Sequence, residues 1–473
     1  MKVTLINPPF LARDSVGETK SIASVLNVVA PLGIAYIASV LRENGYKARI
    51  IDCTLGVSHK DLLGILLTES PDIIGISATT PTFENAKKIA SSIRGILPKA
   101  KIVLGGCHVT ALPEEALSDG CFDIGIIGEG EETFLELVQK IEKRGLSCLE
   151  DICGIAYRNN GSVFVSKRRP PIKDLNTLPF PARELLPELS KYSPTPASYR
   201  RLPLATLMTS RGCPMQCKFC DRSIFGSGYR QREPENILDE IEELVYRFSI
   251  KEIRFFDDAF TFDKERIFKL CEGFKRRGLK VSWTCLTTVT AVSERLLKAM
   301  RKAGCWQVLY GLESGDNQML EILGKGNTLQ QNRSAVYLAK QTGLGVRGDF
   351  LVGAPGETKE SLNNTLNFAK GLPLDYAHFN KFVPYPGTEF YKMLIKQGFR
   401  FNFSKCCSIT SHSAVIYTPE GISREEFKKF LDRAHREFYL RPRHILKRLV
   451  STRTLAELRG QIHGFFAIYN LRD

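Results

Sequence analysis

Residues 213–220 read Cys213-Pro214-Met215-Gln216-Cys217-Lys218-Phe219-Cys220, introduced by Ser210-Arg211-Gly212 and followed by Asp221-Arg222. Three thiols at C-x-x-x-C-x-x-C spacing let one short loop turn three sulfurs toward a common point, and thiolates are the natural ligands of iron–sulfur clusters. A four-iron cluster normally takes four cysteines, so a loop that supplies three leaves one iron open to a substrate. A zinc site would use four ligands in C-x-x-C pairs, and neither a second pair nor a His partner lies nearby. Cys213, Cys217 and Cys220 are the candidate metal ligands and catalytic centre.

Outward from this loop, apolar stretches alternate with helical patterns. Residues 204–209, 252–256, 281–286, 307–312, 348–352 and 377–383 predict strands, and 235–248, 264–277, 293–303, 330–342, 359–370 and 389–397 predict helices. Six β/α units agree with a partial TIM-like barrel over residues 201–400, whose active residues belong at the C-terminal strand ends. The cysteine loop follows the first of these strands. Tyr385, in the Pro384-Tyr385-Pro386-Gly387-Thr388 segment after the last, is a candidate substrate contact.

Residues 1–145 alternate in the same way, with strands expected at 3–6, 47–51, 73–77, 102–104 and 124–127 and helices at 34–43, 83–97 and 131–144. This pattern predicts an α/β domain, a doubly wound, flavodoxin-like parallel sheet with ligands over its C-terminal strand ends. The loops there are Asn7-Pro8-Pro9, Ser77-Ala78-Thr79-Thr80, Gly105-Gly106-Cys107-His108 and Gly128-Glu129-Gly130-Glu131; paired glycines admit close approach of a large ligand, and hydroxyls supply hydrogen bonds. Between the two units, residues 146–200 hold a hairpin over an Asn-Gly turn at 155–165, then a Pro-rich connector. Residues 401–473 form a helical, basic C-terminal segment.

The cysteine run, with Phe219 just before its last thiol, resembles the cluster loop of the radical S-adenosylmethionine enzymes. The resemblance implies a 4Fe-4S cluster whose open iron chelates S-adenosylmethionine and whose electron splits it to a 5′-deoxyadenosyl radical. It covers residues 1 to about 400, because the N-terminal loops, with Pro31-Leu32-Gly33, resemble the cobalamin-binding domain that precedes such a barrel. Carried onto this sequence, it places Ser77, Thr79, Gly105 and Gly106 along the nucleotide tail of cobalamin, with Asn7, Pro8, Gly128, Glu129 and Gly130 as further contacts. Asp257 and Asp258 look like the acidic contact to the amino group or ribose of S-adenosylmethionine, Glu313 and Ser314 like the ribose-contacting segment, and Gly353 like the backbone facing adenine. Relatives often carry an Arg where this chain has Leu286-Thr287-Thr288-Val289, so Arg347 becomes the candidate partner of the S-adenosylmethionine carboxylate. The D-x-H-x-x-G loop that supplies an axial imidazole is absent and His108 reads as a loop histidine, so the implied cobalamin is base-off without a His ligand.

The function implied is a cobalamin-dependent radical methyltransferase acting on an unactivated carbon. The alternatives are a cyclase of the anaerobic magnesium-protoporphyrin ester type, an RNA methylthiotransferase using Cys53, Cys107 and Cys121 for a second cluster, and a cobalamin sensor with a vestigial barrel. The helical C-terminus argues against an RNA-binding barrel, so nucleic acid is not expected as a partner. A small-molecule or lipid-like substrate and an electron donor such as flavodoxin or ferredoxin are.

The chain has 473 residues and a formal charge of +15. Arg441, Arg443, Lys447, Arg448, Arg453, Arg459 and Arg472 crowd the end, interleaved with apolar residues, a composition suited to peripheral contact with an anionic membrane, to RNA binding, or to a solvated helical face packed on the barrel. Thirteen cysteines behind an N-terminus without a signal-peptide layout point to a reducing, cytoplasmic setting. Cys406 and Cys407 are read as buried structural thiols, with auxiliary ligation as the alternative.

Overall fold

Central parallel strands are buried on both faces and therefore read as continuous apolar runs. The first strand, β1 (Lys2–Asn7), shows this in its run of buried residues from Val3 to Ile6. The computed structural model describes the chain apart from residues 11–27, 146–148, 160, 193, 195–197, 404–414, 453–457, 460 and 463–473. Cys406 and Cys407 and most of the basic tail lie outside the described residues.

β2 (Lys47–Asp52), β3 (Ile73–Ser77), β4 (Lys101–Gly105), β5 (Ile124–Ile126), β6 (Ile155–Asn159) and β7 (Ser162–Val165) join β1 in the order β2-β1-β3-β4-β5-β6-β7. The first five are parallel, as the alternation predicts, whereas β6 and β7 pair antiparallel to the edge of β5. The hairpin expected in the linker thus extends the N-terminal sheet and covers an edge that would otherwise present unpaired backbone. A helix at His59–Glu69, not anticipated, crosses between β2 and β3; Ser58 caps it, and only Leu62 and Leu66 are buried, a weak periodic signal.

The second sheet runs β8-β11-β12-β13-β14-β15, all parallel. Its strands are β8 (Leu204–Leu207), β11 (Glu252–Phe255), β12 (Ser282–Thr287), β13 (Cys305–Glu313), β14 (Gly345–Val352) and β15 (Tyr376–Lys381). Two short strands, β9 (Ser210–Arg211) and β10 (Arg230–Gln231), pair antiparallel and bracket the cysteine loop. The outer helices start at side-chain caps, Asp263 on the Arg266 amide, Ser293 on Leu296, Thr328 on Gln331, Thr358 on Ser361 and Thr388 on Tyr391, each meeting an N–H that a helix start leaves unpaired.

The Pro-rich connector is packed rather than extended in solvent. Ala182, Leu186, Leu189 and Tyr192 belong to an apolar core continuous from one face of the first sheet into the barrel. Arg183, fully enclosed, holds Glu240 at 2.6 Å and donates to the Thr206 carbonyl at 3.0 Å. The far edge is closed by the helix Arg424–Tyr439: the Tyr439 hydroxyl accepts from the Ala377 N–H and donates to its carbonyl, meeting both exposed backbone groups of β15 there.

Candidate functional site

The chain leaves β8, passes Thr209 and turns at Gly212 into the cysteines. Gly212 has φ +84°, and a Cβ there would lie 2.2 Å from the Gly228 carbonyl oxygen, so only glycine fits. The loop is then pinned from three sides. The Lys218 N–H donates to the Leu323 carbonyl at 3.0 Å, the Phe390 N–H donates to the Lys218 carbonyl at 3.2 Å, and Arg222 donates to the Met215 carbonyl at 2.9 Å. Phe219 packs into a small apolar cluster with Met319, Leu351 and Phe390. The segment after β15 closes on the same loop: a Cβ on Gly387 would come within 2.3 Å of Asp221, which brings Tyr385 to this mouth, with its ring stacked 6.4 Å from Phe403.

Enclosure pushes all three thiols up. For Cys213 and Cys220 the Asp258 carboxylate adds to that effect, and Cys220, although open at the mouth, is pushed up to about 12. The thiols also act on one another, Cys213 on Cys217 and both on Cys220, so they share one local field. Charge is supplied from the other side by Lys325, which eases ionisation of Cys213 and Cys217. Burial disfavours the thiolate at all three positions, and a bound metal cation would favour it. No set of three or more His, Cys, Asp or Glu among the described residues is disposed around a single ion; the loop's fit to a cluster rests on its spacing and its shared field.

Lys325 escaped the sequence reading because its signal, Gly324-Lys325-Gly326, is only a turn. Gly324 at φ +66° packs its α-carbon under the Gln216 carbonyl, where a Cβ would stand 2.9 Å away. Lys325 reaches Glu313 at 2.8 Å; burial opposes its charge, but Glu313 and Cys217 outweigh that and its pKa is raised. Glu313 sits at the end of β13 in the left-handed region, φ +62°, a strained placement that turns its carboxylate toward the loop.

Asp258 faces the cysteines, as the expected acidic contact should. Its neighbour Asp257 does not: it accepts from the Thr209 and Ser210 amides at 2.6 and 3.0 Å and from the Thr209 hydroxyl, so it is spent on holding the start of the loop. Three further expected contacts have partners within the protein. The Gly353 amide donates to Glu357 at 3.1 Å, and a Cβ on Gly353 would strike the Phe427 ring at 2.4 Å, so this glycine allows the close packing of that ring. Ser314 is buried against Thr365 at 3.1 Å. Arg347 lies in the first half of β14, bound to Asp349 at 2.8 Å and Ser198 at 3.2 Å, too deep in the barrel to meet a carboxylate on the cluster.

In the first sheet, the expected loops do gather at the C-terminal strand ends. The Ala78 N–H donates to the Gly105 carbonyl at 2.8 Å, fixing the turn after β3 to that after β4, and Thr79 is locked by the Thr82 hydroxyl at 2.9 Å. A Cβ on Gly105 would meet nothing within 4 Å, whereas one on Gly106, φ +104°, would stand 2.4 Å from the Ala78 oxygen. Open space beside one glycine and none beside the next is the form of a cradle for a large group lying over bare backbone, and it fits cobalamin. Asn7 is tied to Asp52 at 2.9 Å and Pro8 sits beside it at the end of β1. His108 turns inward: it is 1% exposed, stacked 3.9 Å from Phe83 and 3.3 Å from the Thr80 hydroxyl, and burial with Lys87 holds its pKa down to about 4.

The Gly128-Glu129-Gly130-Glu131 segment has a role the sequence did not announce. Glu129 accepts from Arg211 at 2.8 Å, from Arg230 at 2.9 Å and from the Ile172 amide at 2.8 Å, while Glu131 takes the other arm of Arg211 at 2.6 Å. Arg211 also lies 5.3 Å from the rings of both Tyr36 and Phe225. This buried network joins the first sheet to the residues immediately before the cysteines, leaving Gly128 and Gly130 as turn and packing positions; a Cβ on Gly130 would meet Ile37 at 2.9 Å. The two loop systems face each other: Glu129 and Glu131 after β5 hold Arg211 just before the cysteines, and a Cβ on Gly128 would lie 3.9 Å from the Ile224 carbonyl oxygen just beyond them. Cys53 is buried in the apolar core behind β2.

Comparison with known proteins agrees with this two-part layout. A B12 binding domain model matches residues 19–138 and a radical SAM superfamily model matches residues 207–369. An uncharacterized methyltransferase of Pyrococcus horikoshii is 36% identical over 99% of this chain and 99% of its own length. The anaerobic magnesium-protoporphyrin IX monomethyl ester cyclase of Rubrivivax gelatinosus is 31% identical over 87% of this chain and 74% of its own length. Among solved structures, the cobalamin-dependent S-adenosylmethionine radical enzyme OxsB, with aqua-cobalamin and S-adenosylmethionine bound, superposes with TM-score 0.73 over 99% of this chain and 72% of that chain, at 21% identity. The radical S-adenosylmethionine methyltransferase TsrM from Kitasatospora setae superposes with TM-score 0.74 over 100% of this chain and 99% of that chain, at 18% identity. At such identities the superpositions speak for the fold.

Proposed function

This chain belongs to the family that joins a B12-binding domain to a radical S-adenosylmethionine domain, and on that premise we infer that it is a cobalamin-dependent radical methyltransferase that methylates an unactivated carbon. When bound, the 4Fe-4S cluster with S-adenosylmethionine supplies a hydrogen-abstracting 5′-deoxyadenosyl radical, and cobalamin supplies the methyl group. The observation that carries the reading is the meeting of the two loop systems, where Glu129 and Glu131 after β5 hold Arg211 immediately before the cysteines.

The protein's own part is placement and charge. Cys213, Cys217 and Cys220 would hold the cluster through three of its irons, and the Leu323, Phe390 and Arg222 hydrogen bonds fix the loop that carries them. Asp258 and the Glu313–Lys325 pair put charges of both signs beside it, suited to the ammonium, carboxylate and ribose hydroxyls of S-adenosylmethionine. Ser77, Thr79, Gly105 and Gly106 frame the cobalamin side. The inward-packed His108 and the Asn7-Pro8-Pro9 loop support a base-off cobalamin with no His on its lower face. Pre-setting donor and acceptor positions in this way leaves little reorganisation for the moment of reaction. An external one-electron donor is required, and a reduced flavodoxin or ferredoxin has the right chemistry.

Anaerobic turnover of the reconstituted enzyme with substrate should give 5′-deoxyadenosine and S-adenosylhomocysteine in comparable amounts. Deoxyadenosine formed without methyl transfer would overturn methylation and favour the ring-forming chemistry named for the Rubrivivax relative.

A further inference from the structure

Below the cluster, the barrel wall carries polar side chains that the chemistry above does not use. Side chains alternate along a strand, and in this sheet Ala205, Leu207, Ile253, Phe255, Trp283, Cys285, Val308 and Phe350 face the outer helices as core. Their alternates face the lumen. One register row there is Thr206, Arg254, Thr284 and Gln307, with Arg254 paired to both Thr206 and Thr284, and Thr284 to Gln307. Every member of this row has a buried polar atom without a protein hydrogen-bond partner: the two threonine hydroxyls, Nη1 of Arg254, and both amide atoms of Gln307. Gln307 is 0% exposed, Thr284 1% and Thr206 2%. Leaving so many buried donors unmatched in one row is costly unless something else meets them.

The charges around the row are unequal. Arg254 makes no ion pair with any described residue; its guanidinium lies over the Phe256 ring at 5.0 Å. The other lumen charges are Glu252, Arg347, Asp349 and His378; Glu252, two positions before Arg254, accepts from the Arg200 and Arg201 amides, the Ser282 hydroxyl and the Trp306 indole N–H. Arg347 and Asp349 neutralise each other at 2.8 Å, and His378, 3.4 Å from Asp349, is kept neutral by burial and Arg347, its pKa down to about 3. Burial and the Arg347 charge lower Arg254 to about 9, so it still carries its proton at neutral pH. Arg254 is therefore a lumen cation without a direct carboxylate partner, and it stands beside unmatched hydroxyl and amide groups. Immediately above lies an apolar layer, Phe256, Leu286, Leu309 and Leu351, set two residues after Arg254, Thr284, Gln307 and Asp349 in turn. Asp258, beside the cysteines, follows Arg254 by four positions, on the order of 13 Å at strand rise.

We propose that the row Thr206, Arg254, Thr284 and Gln307 binds an oxyanion, a carboxylate or phosphate group, at the deep end of an otherwise apolar substrate whose reacting carbon stands at the cluster. Arg254 presents a planar fork to two oxygens, and the hydroxyls and amide complete the shell. The bound anion pairs with Arg254, and the apolar layer grips the chain or ring between anion and reacting carbon. The S-adenosylmethionine carboxylate does not reach this row while its amino-acid end is on the iron at the strand ends. The inference rests on the enzyme reading above only in taking the deep ligand for the substrate.

The test is binding to the anaerobic holoenzyme, read by calorimetry and thermal shift, with octanoate, octyl phosphate and octanol as probes. At least one of the two anions is expected to bind and raise the melting temperature while octanol does not; which anion binds better assigns carboxylate or phosphate. Arg254→Gln should weaken that binding at least tenfold, and Arg254→Lys, which keeps the charge but loses the fork, should fall between. The visible spectra and ligand-free melting of both variants report loading and folding independently. Equal affinity of the protein and Arg254→Gln for the anions, no binding of either anion, or octanol binding as tightly as both would overturn the proposal. Arg254-dependent binding without methyl transfer would count against the methyltransferase reading alone.

Discussion

At the scale of single residues, the site depends on positions where one side chain, or none, is tolerated. Gly212 is such a position: Gly212→Ala places a methyl 2.2 Å from the Gly228 oxygen in a left-handed turn. The backbone penalty alone is about 1–3 kcal/mol, and because it falls on the residue before Cys213, iron content after reconstitution should drop well below wild type while cobalamin binding persists. His108 supplies a pH signature. Its folded pKa is about 4 against an ordinary 6.5, because burial and Lys87 penalise the imidazolium. Between those values the unfolded chain binds the extra proton, so stability is lost as pH falls from about 6.5 to about 4, by about 3 kcal/mol in all. Chemical denaturation of the metal-free protein should show that slope, and His108→Phe, which keeps the stack on Phe83, should flatten it.

Elements matter here through what they close. The helix Arg424–Tyr439 seals the open edge of the barrel, its Phe427 resting on Gly353 and its Tyr439 on the backbone of β15. Phe427 is 0% exposed, so Phe427→Ala should cost about 3–5 kcal/mol, measurable as a lower urea midpoint. The loss should also loosen the turn after β14, with faster amide exchange at residues 353–357. The capped starts of the outer helices, by contrast, are redundant, and loss of a single cap should cost about 1 kcal/mol.

Across the whole molecule, the decisive link is the buried Glu129–Arg211–Glu131–Arg230 network between the B12-binding domain and the cysteine loop. Glu129→Gln leaves Arg211 and Arg230 short of countercharge in a buried setting, a change that costs about 3–5 kcal/mol. Thermal unfolding should become less cooperative or shift to lower temperature, and the ratio of methylated product to 5′-deoxyadenosine should fall as the two halves lose register. Cys217→Ala tests the opposite kind of dependence: it should abolish adenosyl cleavage and iron loading yet retain cobalamin. Reconstituted wild-type protein should hold about four irons per chain; about eight would instead indicate the second cluster of a methylthiotransferase.

What the sequence determined by itself was local. The cysteine spacing, the alternation that makes two parallel sheets, and the glycine pair at 105–106 are legible because short-range spacing and turn geometry leave a mark within a few residues. Membership of the loops in one mouth followed from the rule that such sheets work at their C-terminal strand ends. Only the tertiary structure decided that Asp257 holds the start of the cysteine loop, that Glu129 ties Arg211 and Arg230 to the first sheet, and that Arg347 pairs with Asp349 while Arg254 has no such ion pair. Each of those outcomes depends on partners far away in the chain, and the balance of charge and hydrogen bonds in a closed space has no signature along the sequence.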